Sequence, residues 1–174
     1  MGESTNVRVG FAGFSVSADL PLDALLAKMR GNGRRCLIIS RACGLALDTG
    51  FQTRQGSWPL LWPPHGLPHQ LWTITGVKGT KSHIITSAAN ESALDANIGD
   101  GRIGMCRVES NASWQRWRLE RTSPAAPTYF ISPESRRERL TVSNDGEPRW
   151  SPWLEKGDGE SQEWLILDPR YPSL

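Results

Sequence analysis

Few residues in this chain are equipped for chemistry, and their spacing narrows what that chemistry can be. There are three histidines, His65, His69 and His83, and none comes with an evident nucleophile. His65 and His69 have the four-residue spacing that sets two ligands on one helical face, but Pro63, Pro64, Gly66 and Pro68 exclude a helix there, so no metal is expected. Asp95, Asn97, Gly99, Asp100 and Gly101 look at first like a calcium loop. The required glycine position holds Asp100 and the closing glutamate position holds Cys106, so the stretch reads as a turn. No glycine-rich loop with its lysine is present to cradle a phosphate. Nothing singles out a pair of carboxylates for glycosidase work, so neither a cofactor nor catalysis is expected.

The elements that must position any site are announced by a repeat. Three Gln-x-Trp triplets, Gln70-Leu71-Trp72, Gln115-Arg116-Trp117 and Gln162-Glu163-Trp164, recur at intervals of 45 and 47 residues. A supersecondary unit copied at such a period fixes the architecture before any single motif is weighed. Each copy opens on a short apolar strand: Cys36-Leu37-Ile38-Ile39, His83-Ile84-Ile85, then Tyr129-Phe130-Ile131. A second strand follows a polar turn, at Leu45-Ala46-Leu47-Asp48, Ala93-Leu94-Asp95 and Leu140-Thr141-Val142. A third strand then leads into the Gln-x-Trp strand, with Gly, Pro, Asn, Asp and Ser at the turns. One such unit is too small to hide its own apolar face, so three must close on a shared core. Trp72, Trp117 and Trp164 are expected in that core, each indole N–H finding a backbone acceptor.

These features together resemble the ricin B-chain lectin family over about residues 35–170. The resemblance implies an all-β fold, a β-trefoil of three four-strand repeats at about 35–80, 81–126 and 127–170. It also implies a non-catalytic, lectin-like module that binds glycans or glycoconjugates. In the family each copy can hold a shallow sugar site: a carboxylate accepts hydrogen bonds from vicinal hydroxyls, an aromatic face stacks on the sugar, and amides orient the rest. The first copy matches best, with Asp48 as the carboxylate, Trp62 as the stacking ring, and His69 and Gln70 as the polar pair. Leu60 stands where the family has an amide, which weakens the case for galactose itself. On this reading the carboxylate works at the surface, so Asp48→Ala is expected to remove binding and spare the fold. The second copy keeps Asp95 and Gln115 as a weak second site, but its stacking position falls near Glu109, and Trp114 precedes the glutamine. In the third copy Thr141 replaces the aspartate and Ser161 precedes Gln162, while Trp150 and Trp153 lie near the stacking position. Secreted members of the family often carry a disulfide in each copy, and Ala46 and Pro64 stand near those places here.

Composition and the flanking segment add boundaries. The 174 residues suit one domain, at 35–174, with an extension at 1–34. A balance of 20 basic and 18 acidic residues is too even to suggest nucleic acid. Arg136-Arg137-Glu138-Arg139 reads as a solvated loop, though it could meet phosphate or anionic lipid. Three cysteines cannot all pair within one chain, which favours a reducing, cytoplasmic setting. Val9 to Ala18 makes a poor signal peptide, no run is long enough to span a bilayer, and the Asn90 and Asn111 sequons read as turn residues. In the extension, Leu22, Leu25, Leu26 and Met29 follow helical spacing, with Asp19 as N-cap, Pro21 in the first turn and Gly31 as stop. That short amphipathic helix must dock on something, either the barrel or a partner protein. A protein-interaction or inhibitor scaffold with degenerate sugar sites is the alternative function.

Overall fold

The computed structural model describes residues 35–50, 56–97, 99, 101–109, 111–143 and 151–169. The expected N-terminal helix lies outside the described residues. Among the described residues there are twelve short strands: β1 (Arg35–Ser40), β2 (Ala46–Asp48), β3 (Leu60–Trp62), β4 (Trp72–Gly76), β5 (His83–Ser87) and β6 (Ala93–Asp95) are the first six. The rest are β7 (Gly104–Cys106), β8 (Arg116–Arg121), β9 (Thr128–Pro133), β10 (Arg139–Ser143), β11 (Ser151–Glu155) and β12 (Trp164–Leu167). Three one-turn 3-10 segments, Pro68–Gln70, Ser113–Gln115 and Glu160–Gln162, bring the glutamine of each triplet to the start of β4, β8 and β12.

Pairing is antiparallel throughout and closes a ring. β1 pairs with β4, β4 with β5, β5 with β8, β8 with β9, β9 with β12, and β12 returns to β1. Ring closure leaves those six strands without a free edge. The other strands form hairpins, β2–β3, β6–β7 and β10–β11. Backbone bonds stitch the hairpins to one another: Met105 N–H donates to Ser57 O at 2.8 Å, and Leu154 N–H donates to Gly101 O at 2.7 Å.

The core explains why the triplet recurs. Trp72, Trp117 and Trp164 are fully buried, and each indole N–H donates to the carbonyl of a buried leucine: Leu47 at 2.9 Å, Leu94 at 2.9 Å and Leu140 at 2.8 Å. Each ring therefore fills the barrel and also ties it to one hairpin, because the leucine lies on β2, β6 or β10. Ile38, Ile85 and Ile131 are buried beside them, one from each apolar strand that opens a copy. Arg139 of the basic run is no free loop cation. Its guanidinium stacks 3.8 Å from the Phe130 ring centre and donates to Gly157 O at 2.8 Å.

Cys36 adds a pH-dependent contribution. All three cysteines are free, and Cys36 is buried with its thiol donating to Trp72 O at 3.3 Å. Burial, and then the nearby Asp168 carboxylate, raise its pKa far above the ordinary thiol value of 9.0. The folded thiol keeps its proton where the unfolded one has lost it. Its stabilising contribution is thus complete below the ordinary value and is lost as the pH climbs above it. From about pH 8 to about pH 10.5 the denaturation midpoint of the wild type is expected to fall more steeply than that of Cys36→Ser, whose hydroxyl does not titrate there. Parallel curves would mean that Cys36 is accessible to hydroxide in the folded state.

Candidate functional site

Strand register shows which residues are equivalent. Asp48 and Asp95 end the second strand of their copies, Thr141 lies at the middle of β10, and the three pair across their hairpins with Leu60, Gly104 and Trp153. Two residues earlier, Ala46 pairs with Trp62, Ala93 with Cys106, and Arg139 with Glu155. The position of Trp62 is therefore held by Cys106 in the second copy and Glu155 in the third. In the second copy this corrects the expectation of a position near Glu109, and in the third the position lies two residues beyond Trp153, near which it was expected. Loop lengths differ between copies, so counting along the chain slips where counting across a hairpin does not. Trp153 takes the place of Leu60, and Trp150 lies outside the described residues.

The three glutamines are structural. Gln70, Gln115 and Gln162 are buried. Gln70 Oε1 accepts from His65 N–H at 2.8 Å and from Gly66 N–H at 3.2 Å, and its Nε2 donates to Pro63 O at 3.0 Å. Gln115 likewise accepts from Glu109 N–H and donates to Arg107 O, while Gln162 donates to Glu155 O. Each amide closes the loop between the third strand and the 3-10 turn. Gln70 thus holds the first-copy loop in shape, with both ends of its amide engaged.

The second and third copies differ from the first in what their glutamine does next. Gln115 Nε2 also donates to Asp95 Oδ2 at 2.8 Å, and Gln162 Nε2 donates to Thr141 Oγ1 at 2.9 Å. Asp95 Oδ1 accepts from Asn97 N–H at 2.7 Å. Burial first, then the charge of Asp95 and a hydrogen bond to it, raise the Cys106 pKa, so a neutral thiol sits against this carboxylate. Asp95 and Gln115 are thus bound to each other and to their own loop, with no aromatic at the Trp62 position.

In the first copy two imidazoles stand where the glutamine would be. Asp48 Oδ1 accepts from Gly50 N–H at 2.6 Å, while Oδ2 lies 3.4 Å from His65 Nε2 and 3.9 Å from His69 Nε2. The two rings meet edge to face with centroids 4.7 Å apart. No helix is needed to bring them together: Gly66, at φ +70°, turns the chain, and the Pro68–Gln70 turn returns His69 beside His65. The prolines that argue against a shared helical face therefore build the contact. His65 is a site residue that the sequence reading passed over, although its spacing from His69 was the available signal.

Carboxylate and imidazoles form a set whose ligand atoms all lie within 4.8 Å of one another. Leu67 N–H donates to His65 Nδ1 at 3.1 Å, which puts the proton of the neutral ring on Nε2, facing Asp48. Metal ligation through Nε2 would require that proton on Nδ1, against the Leu67 N–H. The arrangement suits a hydrogen-bonded polar cluster better than a metal centre.

Exposure revises the role of Asp48. Its side chain is only 2% exposed, against 16% for His69 and 29% for His65, and Trp62 is 48% exposed. The carboxylate lies beneath the imidazoles, so the expectation that it works at the surface is corrected. Asp48→Ala would leave Gly50 N–H and the His65 ring proton without their acceptor. It is expected to cost about 1–3 kcal/mol in urea denaturation, and an unchanged midpoint would show that the carboxylate is not part of the local structure.

No protein-family model matches the sequence, and no curated protein matches it. Solved structures do. A designed threefold-symmetric protein, ThreeFoil, superposes at TM-score 0.65 and 20% identity over 77% of this chain and 98% of its own. The BEL β-trefoil superposes at TM-score 0.64 and 16% identity over 78% and 92%. The fold is a β-trefoil. The C-terminal domain of an earthworm lectin, solved as a mutant with 6'-sialyllactose, superposes at TM-score 0.57 and 26% identity over 77% and 98%. In other matches the β-trefoil is a fraction of a longer protein, and this chain spans 18% of a mosquitocidal holotoxin. Among the described residues no helix is long and apolar enough to cross a membrane.

Proposed function

We propose that this β-trefoil is a non-catalytic, lectin-like module of the ricin B-chain kind, with one working glycan site in the first copy. Trp62 is the stacking platform. His69 and His65 present polar edges to sugar hydroxyls, Asp48 orients the imidazoles from beneath, and Gln70 holds the loop that carries them. A galactose-type or related glycan is the ligand class. The observation that carries this reading is the half-exposed Trp62 on the hairpin of the carboxylate–imidazole cluster, at a position where the other copies have Cys106 and Glu155. The earthworm lectin domain, of the same fold, was solved with a saccharide, which supports the ligand class.

A single shallow site of this kind implies weak binding, near the millimolar end, about −4 kcal/mol. Useful strength then requires clustered ligand or several copies of the module. The test is a panel of mono- and disaccharides titrated against the wild-type chain. Binding of one sugar class, lost on replacing Trp62, is the expected outcome.

A protein-interaction scaffold is the second reading, favoured by the loss of the aromatic platform in two copies and by the exposed Leu67 and Val108. Deleting residues 1–34 discriminates between the two: saccharide binding should survive the deletion. Sugar silence in the full-length chain, with a protein partner captured only when residues 1–34 are present, would favour the scaffold.

A further inference from the structure

The saccharide site has a neighbour just ahead of β3 in the chain. Burial alternates residue by residue from Ser57 to Trp62, with Ser57, Pro59 and Leu61 inside and Trp58, Leu60 and Trp62 facing out. Period-two alternation places Trp58 and Trp62 on one face, about 13 Å apart along an extended chain. Trp58 is 53% exposed and Trp62 48%, so two large rings are left to solvent where a fold alone would not require it. One monosaccharide cannot cover both, whereas an oligosaccharide can.

Trp58 is also held in place. The stitched hairpins bring Arg102 of the second copy over it, with the guanidinium carbon 4.4 Å from the ring centre and 5.7 Å from that of Trp153 in the third copy. Arg102 is itself exposed, and among the described residues no carboxylate pairs with it. Because Arg102 is exposed as well as set over the Trp58 ring, its guanidinium keeps N–H donors to offer a ligand. The planar fork of guanidinium donors matches a carboxylate.

We propose that Trp58 and Arg102 form a subsite that extends the Trp62 site to a linear oligosaccharide bearing a carboxylate, with a sugar ring on Trp58 and the acid group on Arg102. The inference rests on the saccharide reading of Trp62 and adds the length and charge of the ligand. Neither residue belongs to the Trp62 site. Both are exposed, so their replacement leaves the core untouched.

The test is calorimetric titration with galactose, tetragalacturonate and the methyl ester of tetragalacturonate, which keeps the chain and removes the charge. Wild type is expected to bind the acid about five- to tenfold tighter than the ester. Arg102→Gln should make acid and ester equal, and Trp58→Ala should weaken both while leaving galactose affinity unchanged. High salt should erase the preference for acid and spare galactose. Equal affinity for acid and ester in the wild type, or a preference that survives Arg102→Gln, would overturn the proposal even with galactose bound. If no saccharide binds the wild type, the Trp62 reading falls and this subsite falls with it.

Discussion

Trp72→Ala is expected to remove about 3–5 kcal/mol of stability, the range for emptying a buried indole site, and so to lower the urea midpoint sharply. A domain of this size has only about 5–15 kcal/mol in total. Two losses combine here. The ring is fully buried among Cys36, Leu47 and Ile38, and its absence leaves a void at the centre of a closed barrel that cannot collapse without straining six strands. The N–H that ties β4 to Leu47 O also disappears, leaving a buried carbonyl without its donor. Because Trp117 and Trp164 make the same bond to Leu94 and Leu140, the alanine variants of all three should be damaged alike. Urea denaturation of the three variants checks this, and one behaving like the wild type would show that the copies do not share the load.

Trp62→Ala should have the opposite profile, with saccharide binding lost and the fold kept. The ring is half exposed, and its strand neighbour Leu61, not Trp62, supplies the core contact. Removing it costs the barrel little. For a ligand bound at about −4 kcal/mol, loss of this large apolar face would weaken binding at least about tenfold, beyond ordinary detection. Trp62→Phe should restore part of the binding, since a smaller ring still stacks. Trp62→Leu, bulky but without an aromatic face, should not, and comparing it with Trp62→Phe separates stacking from mere bulk.

How much of this was legible in the sequence depends on whether a feature is set by side-chain type or by loop closure. The three tryptophans could be placed in the core because a triplet repeated at 45 and 47 residues has one use for a large ring in a small barrel. The short strands followed from apolar runs between turn residues. The site was harder. Asp48, Trp62, His69 and Gln70 were singled out by type, yet Asp48 and Gln70 are buried while Trp62 is not, and type alone does not order them by depth. His65 was missed because the usual rule for two histidines four apart assumes a helix, whereas Gly66 and a 3-10 turn achieve the same approach. The stacking position of the second copy was misplaced, and that of the third only approximated, for a related reason. They follow from the antiparallel pairing Ala93 to Cys106 and Arg139 to Glu155, which only the folded hairpins reveal.

Glycan binding on Trp62 by one copy of this β-trefoil is best checked by ligand-observed NMR. Wild type and Trp62→Ala would be run side by side against a panel of galactose-type and other saccharides, with a thermal melt of each protein. Saturation transfer to one sugar class from the wild type, none from the variant, and superimposable melts are expected. Equal transfer from both proteins would contradict binding on Trp62, and so would silence from a folded wild type across the whole panel.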